Sequence, residues 1–525
     1  MKIKTNLTTD VLVVGAGLAG INAAIEASKA DVDVMLVSSK KICSGSSFYP
    51  GTWGLGMVAP ADKDDEKHFV DTITKVACKM NDRRLSEKLI ENISSDIKGL
   101  EDIGVTFKRP ENTKDQTLIP CFDNKHRNWY GYLFETAKPA FLREIKRQEI
   151  RKEEDTEVIH VEKNADSYIV YAIQNNHLIA ITTKALVFAT GGFGGLYKHR
   201  LNTSDITGAG QALAYKLGCK LINMEFMQFI PGFVSPAYKT IVNERAFKLA
   251  TFIDENNQEI EVKKDIIEER SGHGPFTTRL ESKSFDIELF KAYLSSNKDQ
   301  CVRMVYKTND MDAEGVMIRD YFKWLKENKN ISPDEQIFIL PFMHAANGGI
   351  KIDEDAKTSL KGIYAAGEVT GGMHGADRIG GLSTANALVF GKIAGKNAGI
   401  YAKTVPSQSF EIDNLSYSFY DDRHLPYDIL SRIQELMYDH ASVIRTEEGL
   451  RYAYDEILLM EKEMKKERAS DIKRASIISH AVTLSKVILL SMIERKESRG
   501  SHFRLDYPSK SKDYDYIITS GMKVD

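Results

Sequence analysis

DVLVVGAGLAGINAAIEA, residues 10–27, is the stretch on which the reading of this chain turns. Four apolar residues, Val11 to Val14, run into Gly15, Gly17 and Gly20, and an alanine-rich stretch follows. On its own a G-x-G-x-x-G run is compatible with several dinucleotides. Its surroundings say more. Residues 10–15 read as a buried parallel strand. Residues 18–30 read as a helix whose alanines allow close packing on a sheet, and VDVMLVS (32–38) reads as the next strand. This β-α-β order sets Gly15, Ala16, Gly17 and Gly20 at a strand-to-helix turn. There the backbone can approach a pyrophosphate, and the open N–H groups of the helix start face it. An acid is expected at the end of the second strand to hold the ribose hydroxyls of NAD. Ser38 and Ser39 stand there instead. The small-residue loop SGSSFYPGTWGLGM (44–57) follows and can wrap a second face of the same ligand.

The 525 residues are too many for one small core and predict two to four domains. A net charge of −3 gives no nucleic-acid footprint. No run reads as the ~20 apolar residues of a membrane span, so direct membrane insertion is not expected. The strand signal at residue 10 leaves no room for a signal peptide before it. The five scattered cysteines fit a reducing compartment, and the chain is expected in the cytoplasm. With no Cys pair or cluster, no iron–sulfur cluster or metal site of its own is expected.

Residues 62–108 read as helical. EVIHVE (157–162) and YIVYAI (168–173) read as paired strands around the turn NADS, and KALVFATGGFGGLY (184–197) as a buried strand ending in glycines. Residues 236–335 are more charged and mixed, like an insertion. The strand–glycine–helix style returns at 337–400, a polar linker lies near 404–427, and residues 428–500 read as mostly helical.

Four separated motifs carry a family resemblance: DVLVVGAGLAG (10–20), FATGG (188–192), YAAGEVTGGMHGADRIGG (364–381) with LVFGKIAG (388–395), and RKESRGSHFRLDYP (495–508). In this order the chain resembles the flavoprotein family of fumarate reductase, succinate dehydrogenase and L-aspartate oxidase, and its wording around VMLVSSKK is closest to L-aspartate oxidase. The resemblance implies an α/β fold with a split Rossmann-like FAD-binding domain (1–235 and 336–403), an inserted α+β capping domain (236–335) and a C-terminal helical domain (404–525). It implies FAD, held by Gly15, Gly17 and Gly20 at the pyrophosphate and by segments containing Ser38, Lys40, Ser46, Ser47 and Gly191. Glu368 would bind its ribityl or ribose hydroxyls, and Ser383 would open a helix aimed at the flavin. Some members attach FAD through a histidine where Ser46 stands, so non-covalent FAD is expected.

The resemblance further implies hydride transfer between flavin N5 and a substrate carbon. Histidines and arginines clamp the substrate carboxylates, and a cation in the cap handles the proton. His344 in HAANGG (344–349) and Arg378 match the clamp, where the family reads H-G-A-N-R around the arginine. The other half departs. Q-F-H-P-T becomes QFIPG (228–232), so Ile230 and Gly232 replace histidine and threonine. T-E-x-x-R becomes NERAF (243–247), which keeps Glu244 but has Phe247 in place of arginine. The substrate is then a small carboxylate or amino acid with one carboxylate and a less polar far end, or a C4 dicarboxylate if Arg245 or Lys248 compensates. In KKDIIEERSGHGPF (263–276) the proton-shuttling cation is Lys264 or Arg270, with His273 as a further cap candidate. Arg499 and His502 would buttress the FAD site. The activity is that of an L-aspartate oxidase-like oxidase or an enoate reductase. The alternatives are a flavoprotein subunit passing electrons to an iron–sulfur or other electron-transfer partner, and a flavin-binding module without turnover.

Overall fold

The computed structural model describes residues 3–48, 55–109, 125–296, 299–307, 316–406, 428–464 and 471–520. Its main sheet grows from the opening motif. Strand Thr5–Val14, buried over Val11–Val14, pairs in parallel with Val34–Val37 on one edge and His177–Phe188 on the other. Arg151–Glu153 extends the first edge in parallel.

His177–Phe188 is longer than the stretch read from sequence, and its far edge has two partners in turn. Ser167–Gln174 pairs with it antiparallel along its first half, and Ile363–Ala365 pairs with it in parallel along Leu186–Phe188. Thr156–Asn164 completes the hairpin outside Ser167–Gln174. The nucleotide fold is therefore interrupted after residue 188 and resumed at 363 on the same strand.

Helix Leu18–Ser28 returns from the first strand and crosses helix Leu382–Thr404 closely. The crossing depends on glycines spaced four apart. A Cβ at Gly391, Gly395 or Gly399 would lie 2.5, 2.0 or 2.8 Å from the carbonyl oxygens of Ala19, Ala23 and Ala27 respectively. Only hydrogen side chains let the two backbones approach so far.

A second sheet, antiparallel throughout, joins Met227–Ser235, Ile337–Ala346, Arg303–Tyr306 and Ala250–Ile253 in that order. Its first two strands flank the inserted segment, and helices Lys264–Arg270, Lys283–Ser296 and Val316–Lys329 lie within that segment. Ile429–Ala441, Glu447–Met464 and Ile472–Glu494 form the C-terminal helical layer. Ile472–Glu494 corrects one sequence expectation: it is long and apolar enough to cross a membrane, with a mean hydropathy of 1.7 in its best window. Two thirds of that window is buried against the neighbouring helices and strand Thr156–Asn164, as in the core helix of a globular protein. Cys43, Cys78, Cys219 and Cys301 are free thiols, and Cys121 lies outside the described residues. Among the described residues no group of His, Cys, Asp and Glu could hold a metal.

Candidate active site

The parallel strands end on one side of the sheet, where ligands of open α/β folds bind. The three glycines of the opening motif do different work there. Gly15 has φ +109°, and a Cβ on it would lie 2.2 Å from the Ala189 carbonyl oxygen. One on Gly20 would lie 1.7 Å from the Gly15 carbonyl oxygen. Both therefore serve the chain's own packing. A Cβ on Gly17 would meet only Ser47 Oγ, at 3.5 Å. Gly17 faces open space at the start of helix Leu18–Ser28, which has neither a side-chain cap nor an acid in its first turn. That is the arrangement a pyrophosphate requires.

The other cradle residues converge on the same side. Ala16 is buried, and its carbonyl accepts from Cys43 N–H. Ser47 Oγ accepts from Leu18 N–H at 3.3 Å, tying the loop to the helix start. Ser38 Oγ accepts from Lys40 N–H at 3.3 Å, and Lys40 Nζ donates to Ser204 Oγ at 2.8 Å. Ser46 Oγ lies 3.3 Å from Thr203 Oγ1. Gly191 adopts φ +77°, and its carbonyl accepts from Gln211 Nε2 at 3.0 Å. Glu368 accepts from Ala346 N–H at 2.9 Å and Gly192 N–H at 3.2 Å. Burial raises its carboxyl pKa, and these N–H donors oppose the rise. Ser383 sits in the first turn of helix Leu382–Thr404, which starts at Gly381 (φ +81°) without a side-chain cap. Thr190 Oγ1, Gln211 Oε1 and both side-chain polar atoms of Asn202 are buried with no hydrogen-bond partner. Such orphaned groups normally find a ligand or water. Open glycine, uncapped helix starts and orphaned polar atoms together fit a dinucleotide.

Arg378 follows immediately on the cradle strands. It is buried, and its Nε donates to Gln228 Oε1 at 2.8 Å. Gln228 returns two bonds, donating to Asp377 Oδ1 at 3.1 Å and to the Arg378 carbonyl at 3.2 Å. Among the described residues no acceptor takes Arg378 Nη1 or Nη2. Burial pulls its pKa down to about 10, opposed by Glu368 and Asp377, so it stays charged at neutral pH. His344, on strand Ile337–Ala346, is pushed down to about 3 by burial and by Arg378. His374 is pushed well below its usual range by the same two causes, and its Nδ1 is buried without a partner. On this side of the site Arg378 therefore stands with two neutral imidazoles. Glu244 begins the short turn Glu244–Leu249. A Cβ on Gly274 would lie 4.0 Å from Glu244 Oε1 and 3.9 Å from Ile230 Cδ1, so these three face one another.

The structure departs from the sequence expectations in the cap. Lys264 is not at the site: its side chain is 91% exposed, and its nearest acid is Glu268, 3.7 Å away. Arg270 is fully buried inside the cap. It forms a two-pronged pair with Asp286 (2.7 and 3.1 Å), donates to the His273 carbonyl at 2.7 Å and lies over the Phe247 ring. Phe247 packs with Phe252 and Phe285 in the cap's aromatic core and does not line the site. Gly232 has no room for a side chain, because Phe342 Cδ2 lies 2.9 Å from the position a Cβ would take. Lys248 is exposed. His273 is a turn residue, bonded to Ser282 Oγ at 2.8 Å and to the Pro275 carbonyl at 3.0 Å.

The cap cation that does reach the site is Arg279, whose Nε donates to Asp377 Oδ2 at 2.9 Å. Sequence reasoning missed it because it lies three residues beyond KKDIIEERSGHGPF (263–276), the stretch in which the cap cation was sought. Gln228 and Asp377 were overlooked although both lie in quoted motifs. The segment carrying Arg279 is pinned down: Phe276 N–H donates to the Phe229 carbonyl (2.8 Å) and Thr278 N–H to the Gly500 carbonyl (2.7 Å).

Beneath lies a buried ionic network. Arg495 joins Glu225 (2.7 Å) and Glu497 (2.8 Å), and Glu497 also holds Arg499 (2.6 Å). His502 Nδ1 faces Arg445 Nη1, and its Nε2 donates to the Arg495 carbonyl at 3.1 Å. Ser501 N–H and Oγ both donate to the Ala376 carbonyl. Arg499 and His502 close the turn that carries Ser501, and Ser501 braces the segment that ends in Arg378.

Residues 10–384 match the FAD binding domain family, and residues 430–523 match the family described as fumarate reductase flavoprotein C-term. Cradle and match together define an FAD-dependent oxidoreductase. Over 98% of this chain and 97% of its own length, a subunit of the fumarate reductase (CoM/CoB) of Methanothermobacter marburgensis is 27% identical. The L-aspartate oxidase of Bacillus subtilis is 26% identical over 95% of this chain and 91% of its own length. The chain belongs to the flavoprotein family of fumarate reductase, succinate dehydrogenase and L-aspartate oxidase. The fold is shared with the Mycobacterium smegmatis Sdh1 complex (TM-score 0.79, 20% identity, 99% of this chain and 92% of that one). It is also shared with the E. coli quinol fumarate reductase (TM-score 0.76, 19% identity, 99% and 98%).

Proposed function

We propose that this protein oxidises or reduces a small substrate bearing one carboxylate, with FAD held non-covalently. The observation that carries the reading is Arg378: a buried, charged guanidinium fixed at Nε by a neutral amide, with both terminal nitrogens open to a ligand. Two parallel N–H donors match a carboxylate. FAD, when bound, supplies hydride transfer to or from a substrate carbon. Gly17, Ser47, Glu368 and the start of helix Leu382–Thr404 would hold it. Ser46 offers no imidazole for a covalent link. Arg378 binds the carboxylate. His344 and His374, both neutral, offer ring nitrogens without adding charge. Arg279, in place of Lys264 or Arg270, is the cap cation that handles the proton, and Glu244 faces Ile230 and Gly274 on the cap side. The bonds from Phe276 and Thr278 tie the cap segment that carries Arg279 to the strand Met227–Ser235 and to the Gly500 turn. Ile230 supports the less polar far end.

A second reading, a flavoprotein that passes electrons to a partner protein, is favoured by the Methanothermobacter relative being one subunit of its enzyme. Anaerobic mixing with amino acids, hydroxy acids and enoates, followed at the flavin band, tests the proposal. Bleaching by a monocarboxylate, or reoxidation by an enoate, is expected. No response to any carboxylate would refute it. Acid precipitation should leave the flavin in the supernatant, and flavin in the pellet would refute non-covalent binding.

A further inference from the structure

The family resemblance reads asparagine immediately before the clamp arginine, and this chain has Asp377. The carboxylate is 3% exposed and fully engaged. Oδ2 accepts from Arg279 Nε (2.9 Å), and Oδ1 accepts from Gln228 Nε2 (3.1 Å) and Arg378 N–H (2.9 Å). The two site arginines are therefore treated differently. Arg279 has a carboxylate as its direct partner, whereas the Arg378 guanidinium is held by the neutral Gln228 amide. We infer that Asp377 sets the charge class of the substrate: it balances the cap's arginine and leaves one cation, Arg378, for one substrate carboxylate.

The inference rests on the carboxylate reading above and deepens it. A second carboxylate approaching Arg279 would meet the Asp377 charge across a buried, weakly screened gap. Ile230 removes a donor from the far end, and Asp377 adds repulsion there, so attraction and exclusion act together. Asp377 is also a positioning residue, because the same carboxylate ties the cap segment 276–279 to the base of the site.

The test titrates the FAD-loaded protein with succinate and with crotonate, reading binding by calorimetry. It also follows amide exchange of the peptide spanning 276–279. In Asp377→Asn, succinate should tighten by at least ~10-fold while crotonate changes by less than ~3-fold. Exchange at 276–279 should quicken. Arg279→Gln, which leaves the Asp377 charge unbalanced, should weaken succinate more than crotonate by a similar factor. This second variant keeps the inference open to refutation if the first does not fold. An unchanged succinate-to-crotonate ratio in both variants overturns it, as does an equal shift of both ligands. If the unmodified protein binds neither ligand, the carboxylate reading itself fails, and the inference falls with it.

Discussion

Gly395 offers a sharp test of how the flavin cradle is held. In Gly395→Ala the new methyl would sit 2.0 Å from the Ala23 carbonyl oxygen and 2.6 Å from its Cα, both backbone atoms. Ordinary contact begins at 3.4 Å, so the two helices must part by about 1.4 Å or bend. Overpacking of this kind costs about 1–3 kcal/mol. In an exposed helix the same change would gain about 1 kcal/mol from propensity. The two terms leave a destabilisation of about 0–2 kcal/mol, and the 2.0 Å approach to a backbone oxygen puts Gly395→Ala at the upper end, opposite in sign to the propensity effect. Gly391→Ala (2.5 Å) and Gly399→Ala (2.8 Å) should follow in decreasing order. Because helix Leu18–Ser28 starts at Gly17, parting the helices also displaces the pyrophosphate turn. The assay is the thermal midpoint together with the flavin-to-protein absorbance ratio after gel filtration. A Gly395→Ala protein that is more stable than its parent, with full flavin, would refute the argument.

Three further outcomes follow from the site and its foundations. Arg378→Ala should abolish substrate-dependent bleaching while flavin stays bound, because the side chain contacts Gln228 and not the cradle; stopped-flow absorbance reads this, and unchanged bleaching would sink the clamp assignment. Glu225→Gln removes the charge facing Arg495 in a fully buried pair and should destabilise by about 3–5 kcal/mol, seen as a lowered midpoint in urea. Acid should weaken the fold early: His480 is held near 3, and His502 well below the usual histidine range, by burial and neighbouring cations. The unfolded chain binds protons to these groups below about pH 6.5 and the native one does not, so stability falls as pH falls. His480 alone accounts for about 2 kcal/mol at pH 5; a thermal midpoint flat from pH 7 to 5 would contradict the assignment.

What the sequence made legible follows physical range. The pyrophosphate turn is local: strand, glycine and helix within twenty residues suffice, and Gly17 is the open position the pattern demands. Glu368 and Arg378 lie in glycine-framed motifs whose backbone is constrained; Glu368 accepts from the Ala346 and Gly192 N–H groups, and Arg378 Nε donates to Gln228. The cap was harder. Whether Arg270 or Arg279 reaches the site depends on which finds a buried acid first. Asp286 lies sixteen residues beyond Arg270 in sequence, and Asp377 ninety-eight beyond Arg279. Phe247 illustrates the same limit. A phenylalanine in place of an arginine suggested an apolar site wall, yet it turned inward to Phe252 and Phe285. Ile472–Glu494 shows that composition alone does not distinguish a membrane span from the helix other helices bury.

The brace beneath the clamp also bears on the order of assembly. Segment 374–378 is held by Ser501, and the cap segment carrying Arg279 by the Gly500 carbonyl, while the pyrophosphate turn lies in the first twenty residues. A nascent chain can thus form its flavin-binding turn early, but it cannot brace the substrate clamp until residue 501 has left the ribosome. The brace joins segments more than a hundred residues apart, and such contacts close later than the local pyrophosphate turn.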